Sequence, residues 1–187
     1  MKTAQEFSSG NIIKMGEDVF IIQKAAFSKS GRNAAIVKLK MKNLITGQVK
    51  EDVVKASDKF DDVRLDKNTM QFLYMSDDEY NFMDNETFEQ IAFRADDLGD
   101  ALNYLIEEMT LDILFYEGKP VGVEVPRTVE RAVTYTEPGL RGDTTGKVTK
   151  PATIETGYEL QVPLFVNIGD VIRIDTRTGE YMERVNK

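Results

Sequence analysis

Ala34-Ala35-Ile36-Val37-Lys38-Leu39-Lys40-Met41-Lys42 alternates with period two. Successive side chains of a strand point to opposite faces. Val37, Leu39 and Met41 therefore fall on one face, and Ile36, Lys38, Lys40 and Lys42 on the other. The stretch predicts a half-buried strand whose far face is a row of lysines. That row is either a solvated sheet face or a surface turned toward phosphates.

The residues just before it are Lys29-Ser30-Gly31-Arg32-Asn33, a short polar turn, and residues 19–24 before that read as a second strand. The pattern is a β-hairpin with one guanidinium, Arg32, at its tip. Such a group stays charged at any relevant pH, and its planar fork suits RNA phosphates and bases. Residues 43–47 turn the chain, residues 48–55 read as another strand, and a polar segment follows at 61–67. Several short strands in so small a span predict an SH3-like barrel.

Farther along, strands are predicted at 70–75, 80–83, 88–93, 111–116 and 121–125. A helix is predicted over 96–107, where Leu98, Ala101, Leu102 and Leu105 form one apolar stripe. Asp96, Asp97 and Asp100 at its start suit the helix dipole; a metal cluster is the other reading of three close acids. The last third predicts strands at 129–136, 152–155, 159–163, 171–175 and 180–185, with a tight turn at 176–179. The expected fold is all-β, with modules at 1–65, 66–127 and 128–187. The first is SH3-like and the other two are five-stranded OB barrels. The glycine-rich stretch 139–146 lacks a Lys-Ser/Thr ending and a following helix, so it reads as a surface loop, not a phosphate cradle.

The 187 residues contain neither cysteine nor histidine. Disulfides, thiolate metal sites and Ser-His-Asp or Cys-His catalysis are thereby excluded. No apolar run is long enough to span a membrane, and the first residues lack the apolar core of a secretory signal. A cytoplasmic location is expected. The net charge is −8, unevenly spread: residues 1–65 carry 12 cations against 8 anions, and residues 66–127 carry 4 against 15. A basic first third beside an acidic middle suggests separate electrostatic tasks.

Four segments carry a resemblance. They are Lys29-Ser30-Gly31-Arg32-Asn33-Ala34-Ala35 with Lys42-Asn43-Leu44-Ile45-Thr46-Gly47; Phe82-Met83-Asp84-Asn85-Glu86-Thr87-Phe88-Glu89-Gln90; Tyr135-Thr136-Glu137-Pro138-Gly139-Leu140-Arg141-Gly142-Asp143-Thr144 running on to Lys150-Pro151-Ala152-Thr153; and Ile174-Asp175-Thr176-Arg177-Thr178-Gly179-Glu180-Tyr181. In this order they resemble bacterial translation elongation factor P over essentially the whole chain. The resemblance implies a KOW-type SH3-like barrel and two OB barrels in an L-shaped, tRNA-like arrangement. It implies a monomeric, non-enzymatic factor without cofactor, metal or membrane. That factor binds the ribosome beside peptidyl-tRNA and relieves stalling at consecutive prolines.

Lys29, Ser30, Gly31, Arg32 and Asn33 match the hairpin tip that reaches toward the acceptor end of the tRNA. Lys38, Lys40 and Lys42 are expected to attract phosphates behind it. Gly142, Asp143 and Thr144 match a loop directed toward the small subunit. Many family members carry a modified lysine in a loop beginning Lys-Pro-Gly; this chain has Ser30 and Arg32 in the corresponding places. It resembles the subgroup whose tip arginine receives an N-linked rhamnose from a protein-arginine rhamnosyltransferase. Two other classes remain: a general OB-fold protein for single-stranded RNA, and a carboxylate enzyme such as a glycosidase.

Overall fold

The computed structural model describes residues 1–31, 33–139 and 148–185. The first sheet contains β1 (Lys2–Thr3), β2 (Ile12–Met15), β3 (Asp18–Ser28), β4 (Ile36–Asn43), β5 (Val49–Lys55) and β6 (Lys59–Asp62). Its order is β1-β6-β2-β3-β4-β5, with every pairing antiparallel. β4 obeys its period: Val37, Leu39 and Met41 join Ile13, Phe20 and Ile22 in the core, while Lys38 and Lys40 are exposed.

The second sheet contains β7 (Asp66–Ser76), β8 (Glu79–Met83), β9 (Gln90–Arg94), β10 (Thr110–Tyr116) and β11 (Lys119–Glu124), in the order β11-β10-β7-β8-β9. The third contains β12 (Thr128–Thr136), β13 (Thr149–Ile154), β14 (Glu159–Pro163), β15 (Val171–Asp175) and β16 (Glu180–Val185), in the order β14-β13-β12-β15-β16. The two five-stranded sheets share one connectivity. In each, the first strand is central, the next two extend one side and the last two extend the other. Both curl like half-barrels, as an OB fold requires. In the third sheet the outer strands β14 and β16 approach each other. In the second, a short helix α1 (Ala95–Leu98) contacts both outer strands, β9 and β11, and buries Leu98.

The predicted helix over 96–107 is corrected. It is a single α-turn, Ala95–Leu98, followed by a 3-10 stretch, Gly99–Asn103. Gly99 takes φ 53 and ψ −129, a conformation that halts α-helix and that residues with a Cβ rarely adopt. The stripe thus breaks after Leu98, which is buried, while Ala101, Leu102 and Leu105 are half-buried.

The chain gathers into two compact units, residues 1–99 with 110–124, and residues 100–109 with 125–187. Segment 100–109 leaves the sheet that precedes and follows it in sequence. Its anchor is Tyr104, buried in the core of the third sheet with Val129, Ile154 and Ile172, its ring edge-on to Tyr158 at 5.6 Å. No helix among the described residues is long and apolar enough to cross a membrane.

Candidate nucleic-acid interface

The β3–β4 hairpin is long because β3 keeps pairing beyond its own buried stretch, Val19–Ile22, while β4 stays in the core on one face through Val37. The ladder runs from Phe20 opposite Asn43 to Ser28 opposite Ile36, with a bulge between Ile22 and Lys24. Beyond it, the Asn33 N–H donates to the Ser30 carbonyl at 3.0 Å. Gly31 turns with φ 53, in the left-handed region where glycine carries no Cβ penalty. Lys29, Ser30, Gly31 and Asn33 are all exposed. Phe27, below the tip, is 56% exposed. Arg32 lies outside the described residues, as do Gly142, Asp143 and Thr144.

Behind the tip the lysine face is wider than the β4 pattern shows. Lys24 stands opposite Lys40, and Lys55 stands opposite Ile36. Lys24 and Lys55 are exposed. The bulge is what brings Lys24 into register with Lys40. Sequence reading passed over both residues because bulges and cross-strand register leave no simple period. Glu51, opposite Lys40, tempers the charge, and Val53, opposite Lys38, is exposed. Lys38 and Lys40 form no ion pair among the described residues. Lys42, the third member of the row, is different: it is half-buried and its ammonium donates to the Asp97 carboxylate at the start of α1.

Elsewhere the charged groups serve turns and packing. The Lys50 ammonium, followed by the Val53 N–H, lowers the Asp52 carboxyl below its usual range. Asp175 is likewise lowered, by the Arg177 side chain and backbone N–H. Among the described residues, no cluster of three or more acids, histidines or cysteines could hold a metal. Asp97, one of the three acids that resemble a metal cluster in sequence, is engaged by Lys42. Phe72 and Phe82 are core residues, as their strand positions imply, but Tyr74 is 47% exposed. The bulge between Phe72 and Tyr74 shifts the register there.

Three family models match in succession. The elongation factor P KOW-like domain matches residues 3–60, the elongation factor P OB domain matches residues 65–123, and the elongation factor P C-terminal model matches residues 129–184. Elongation factor P of Fusobacterium nucleatum is 59% identical over 187 residues, covering all of both chains. That of Bordetella avium is 55% identical over 186 residues, and that of Thiobacillus denitrificans 54% over 187, each again covering both chains in full. Among solved structures, a eukaryotic translation initiation factor 5A from Methanococcus jannaschii aligns at 18% identity with a TM-score of 0.35, covering 65% of this chain and 94% of that one. Family membership favours a translation factor over a general single-strand RNA binder. The chain belongs to the elongation factor P family, whose members are translation elongation factors and not enzymes.

Proposed function

We propose that the chain acts on the ribosome beside peptidyl-tRNA, where it stimulates peptide-bond formation and relieves stalling at consecutive prolines. The observation that carries this reading is the one-sided hairpin. It is a long β-ribbon with core residues on one face and, on the other, Lys38 and Lys40, which form no ion pair among the described residues; Arg32 falls between its two strands in sequence. Proline's ring fixes φ and restricts the approach of the reacting groups. Holding such groups in a near-attack arrangement is worth up to about 7–11 kcal/mol. A factor that orders the tRNA end therefore accelerates transfer while lending no chemical group.

In this reading Arg32 engages the acceptor end, held by Lys29, Ser30, Gly31 and Asn33. Lys38 and Lys40, joined by Lys24 and Lys55, supply sequence-independent attraction to phosphates. Arg32 also accepts an N-linked rhamnose from a protein-arginine rhamnosyltransferase, which lengthens the probe. Gly142, Asp143 and Thr144 contact the small subunit. The working modules are 1–65, 66–127 and 128–187, in a cytoplasmic monomer.

Rates of Pro-Pro bond formation on purified ribosomes test the proposal. Arg32→Ala should reduce the stimulation about tenfold, the effect of about 1.4 kcal/mol on the barrier. Undiminished stimulation would refute the role of the tip. Intact mass of protein from its native host should show one added deoxyhexose on the peptide holding Arg32. Full activity of unmodified Arg32→Lys protein would remove the sugar from the mechanism.

A further inference from the structure

Lys42 is the member of the lysine row that a phosphate would have to take from another partner. Its ammonium meets the Asp97 carboxylate, and the two side chains are only 31% and 21% exposed. Asp97 belongs to α1, the helical turn that touches both β9 and β11. The pair therefore ties the hairpin strand β4 to the closing element of the second sheet, both within the unit 1–99 and 110–124.

The chain just beyond Lys42 is braced by hydrogen bonds. Directly after Lys42, the buried Asn43 side chain accepts the N–H groups of Ile45 at 2.8 Å and Thr46 at 3.0 Å. The Leu44 N–H donates to the Val19 carbonyl at 2.9 Å. Leu44, and Tyr116 and Val121 of the second sheet, all pack against Ile12, Val19 and Ile21 of the first. Gly122 lies so near this cluster that an added Cβ would stand 3.1 Å from the Ile21 Cδ1. A cleft of about 370 Å³ opens beside the pair, lined by the 43–47 turn and by Phe93, Asp97 and Val121. The apolar cluster meets the cleft through Leu44 and Val121, which line both. Apolar packing resists separation but is non-directional, so it fixes the angle of the arm weakly. A half-buried ion pair across the cleft supplies the missing direction.

We infer that Lys42 is a positioning residue: its ion pair with Asp97 sets the direction of the β3–β4 arm against the second sheet, and it does not contact RNA. This rests on the proposed role of the arm tip and deepens it. The lysine row then divides by task, with Lys38 and Lys40 facing phosphates and Lys42 aiming the strand that carries them.

Charge reversal separates the two roles. Lys42→Ala and Asp97→Ala should each lower the stimulation of Pro-Pro bond formation about threefold to tenfold, and the paired reversal Lys42→Asp with Asp97→Lys should restore most of it. The chain has no cysteine, so Glu17→Cys and Glu86→Cys provide unique sites for two spin labels. Their distance distribution should broaden in each single variant and narrow again in the reversal. Circular dichroism should show that the sheets persist in all three. A phosphate contact would behave otherwise: Asp97→Ala would be silent and the reversal would stay impaired, and either result overturns the inference. Unchanged activity in both single variants overturns it as well. Failure of the proposed function is a separate result, since it shows as no effect of Arg32→Ala in the parent protein.

Discussion

Arg131 carries a positive charge into the core of the unit 100–109 with 125–187. It is 5% exposed. Its Nε donates to the Tyr104 carbonyl at 2.9 Å and its Nη1 to the Glu130 carbonyl at 2.5 Å, while Nη2 reaches both the Tyr104 carbonyl and the Met109 Sδ. Burial lowers its pKa, with Glu155 partly opposing the shift, but a guanidinium starts so high that it stays charged. Three backbone and thioether partners replace water, and among the described residues no carboxylate bonds to it. Asp175 shows the opposite case, at a turn. Its carboxylate accepts the Arg177 N–H at 2.9 Å and the Arg177 Nη2 at 3.1 Å, and its pKa falls below the ordinary 3.8. A depressed folded pKa means that the unfolded chain takes up the proton first. The stabilisation is therefore complete above the ordinary value and is lost as pH falls through the folded one. Asp175→Asn keeps the cap oxygen and removes the charge. Urea unfolding between pH 6 and pH 2 should show a smaller acid-induced loss in this variant than in the parent. An identical acid slope would place the pH dependence on other carboxylates, such as Glu6 or Asp52, which are also lowered.

At the scale of elements, most strands were legible, but β1, β2 and β6 of the first sheet and the helix were not. β4 could be read residue by residue because its period also sorts the buried from the exposed. The turn 176–179 is equally direct: Gly179 has φ 74 and its N–H returns to the Asp175 carbonyl at 2.8 Å. The helix failed because its stripe counts apolar residues and ignores Gly99, whose φ ends the α-turn. Beyond Leu98 the stripe residues are only half-buried, and it is Tyr104, off the stripe, that enters the core of the third sheet. Register was the other blind spot. It decides that Lys24 and Lys55 join the lysine face, while a contact outside the sheet, Asp97 of α1, sets Lys42 apart. A charge face built on one ribbon has a measurable signature. Binding of the parent protein to ribosomes should weaken with salt, and removing Lys38 and Lys40 together should flatten the logarithmic salt slope by about two, one per lost phosphate contact. An unchanged slope with weaker binding would mean that these lysines act through the fold and not through phosphates.

At the scale of the molecule, the two five-stranded sheets repeat one connectivity with no visible repeat in sequence, because topology constrains where strands go and not which residues build them. Three sheets follow each other in order along the chain, yet the compact units cut across that order at residues 99, 109 and 124. The segment 100–109 is thus structurally part of the unit that begins again at Val125. It fills that unit's core with Tyr104, whose hydroxyl pKa is raised by burial and by Tyr158. It also receives the Thr156 hydroxyl on the Asn103 carbonyl at 2.6 Å and the Arg131 guanidinium on the Tyr104 carbonyl. A fragment covering only 128–187 would keep every strand of the third sheet and lose all three of these partners. The fragment leaves the Arg131 guanidinium with only the Glu130 carbonyl, and unmet hydrogen bonds of that kind cost about 1–3 kcal/mol, a large share of the stability of so small a domain. The fragment should melt well below the corresponding unit in the full chain. A synthetic peptide of residues 100–109 added in excess should raise its melting temperature, and a Tyr104→Ala version of that peptide should not. Equal melting of fragment and full-length unit, with no response to the peptide, would show that the third sheet is complete without the segment.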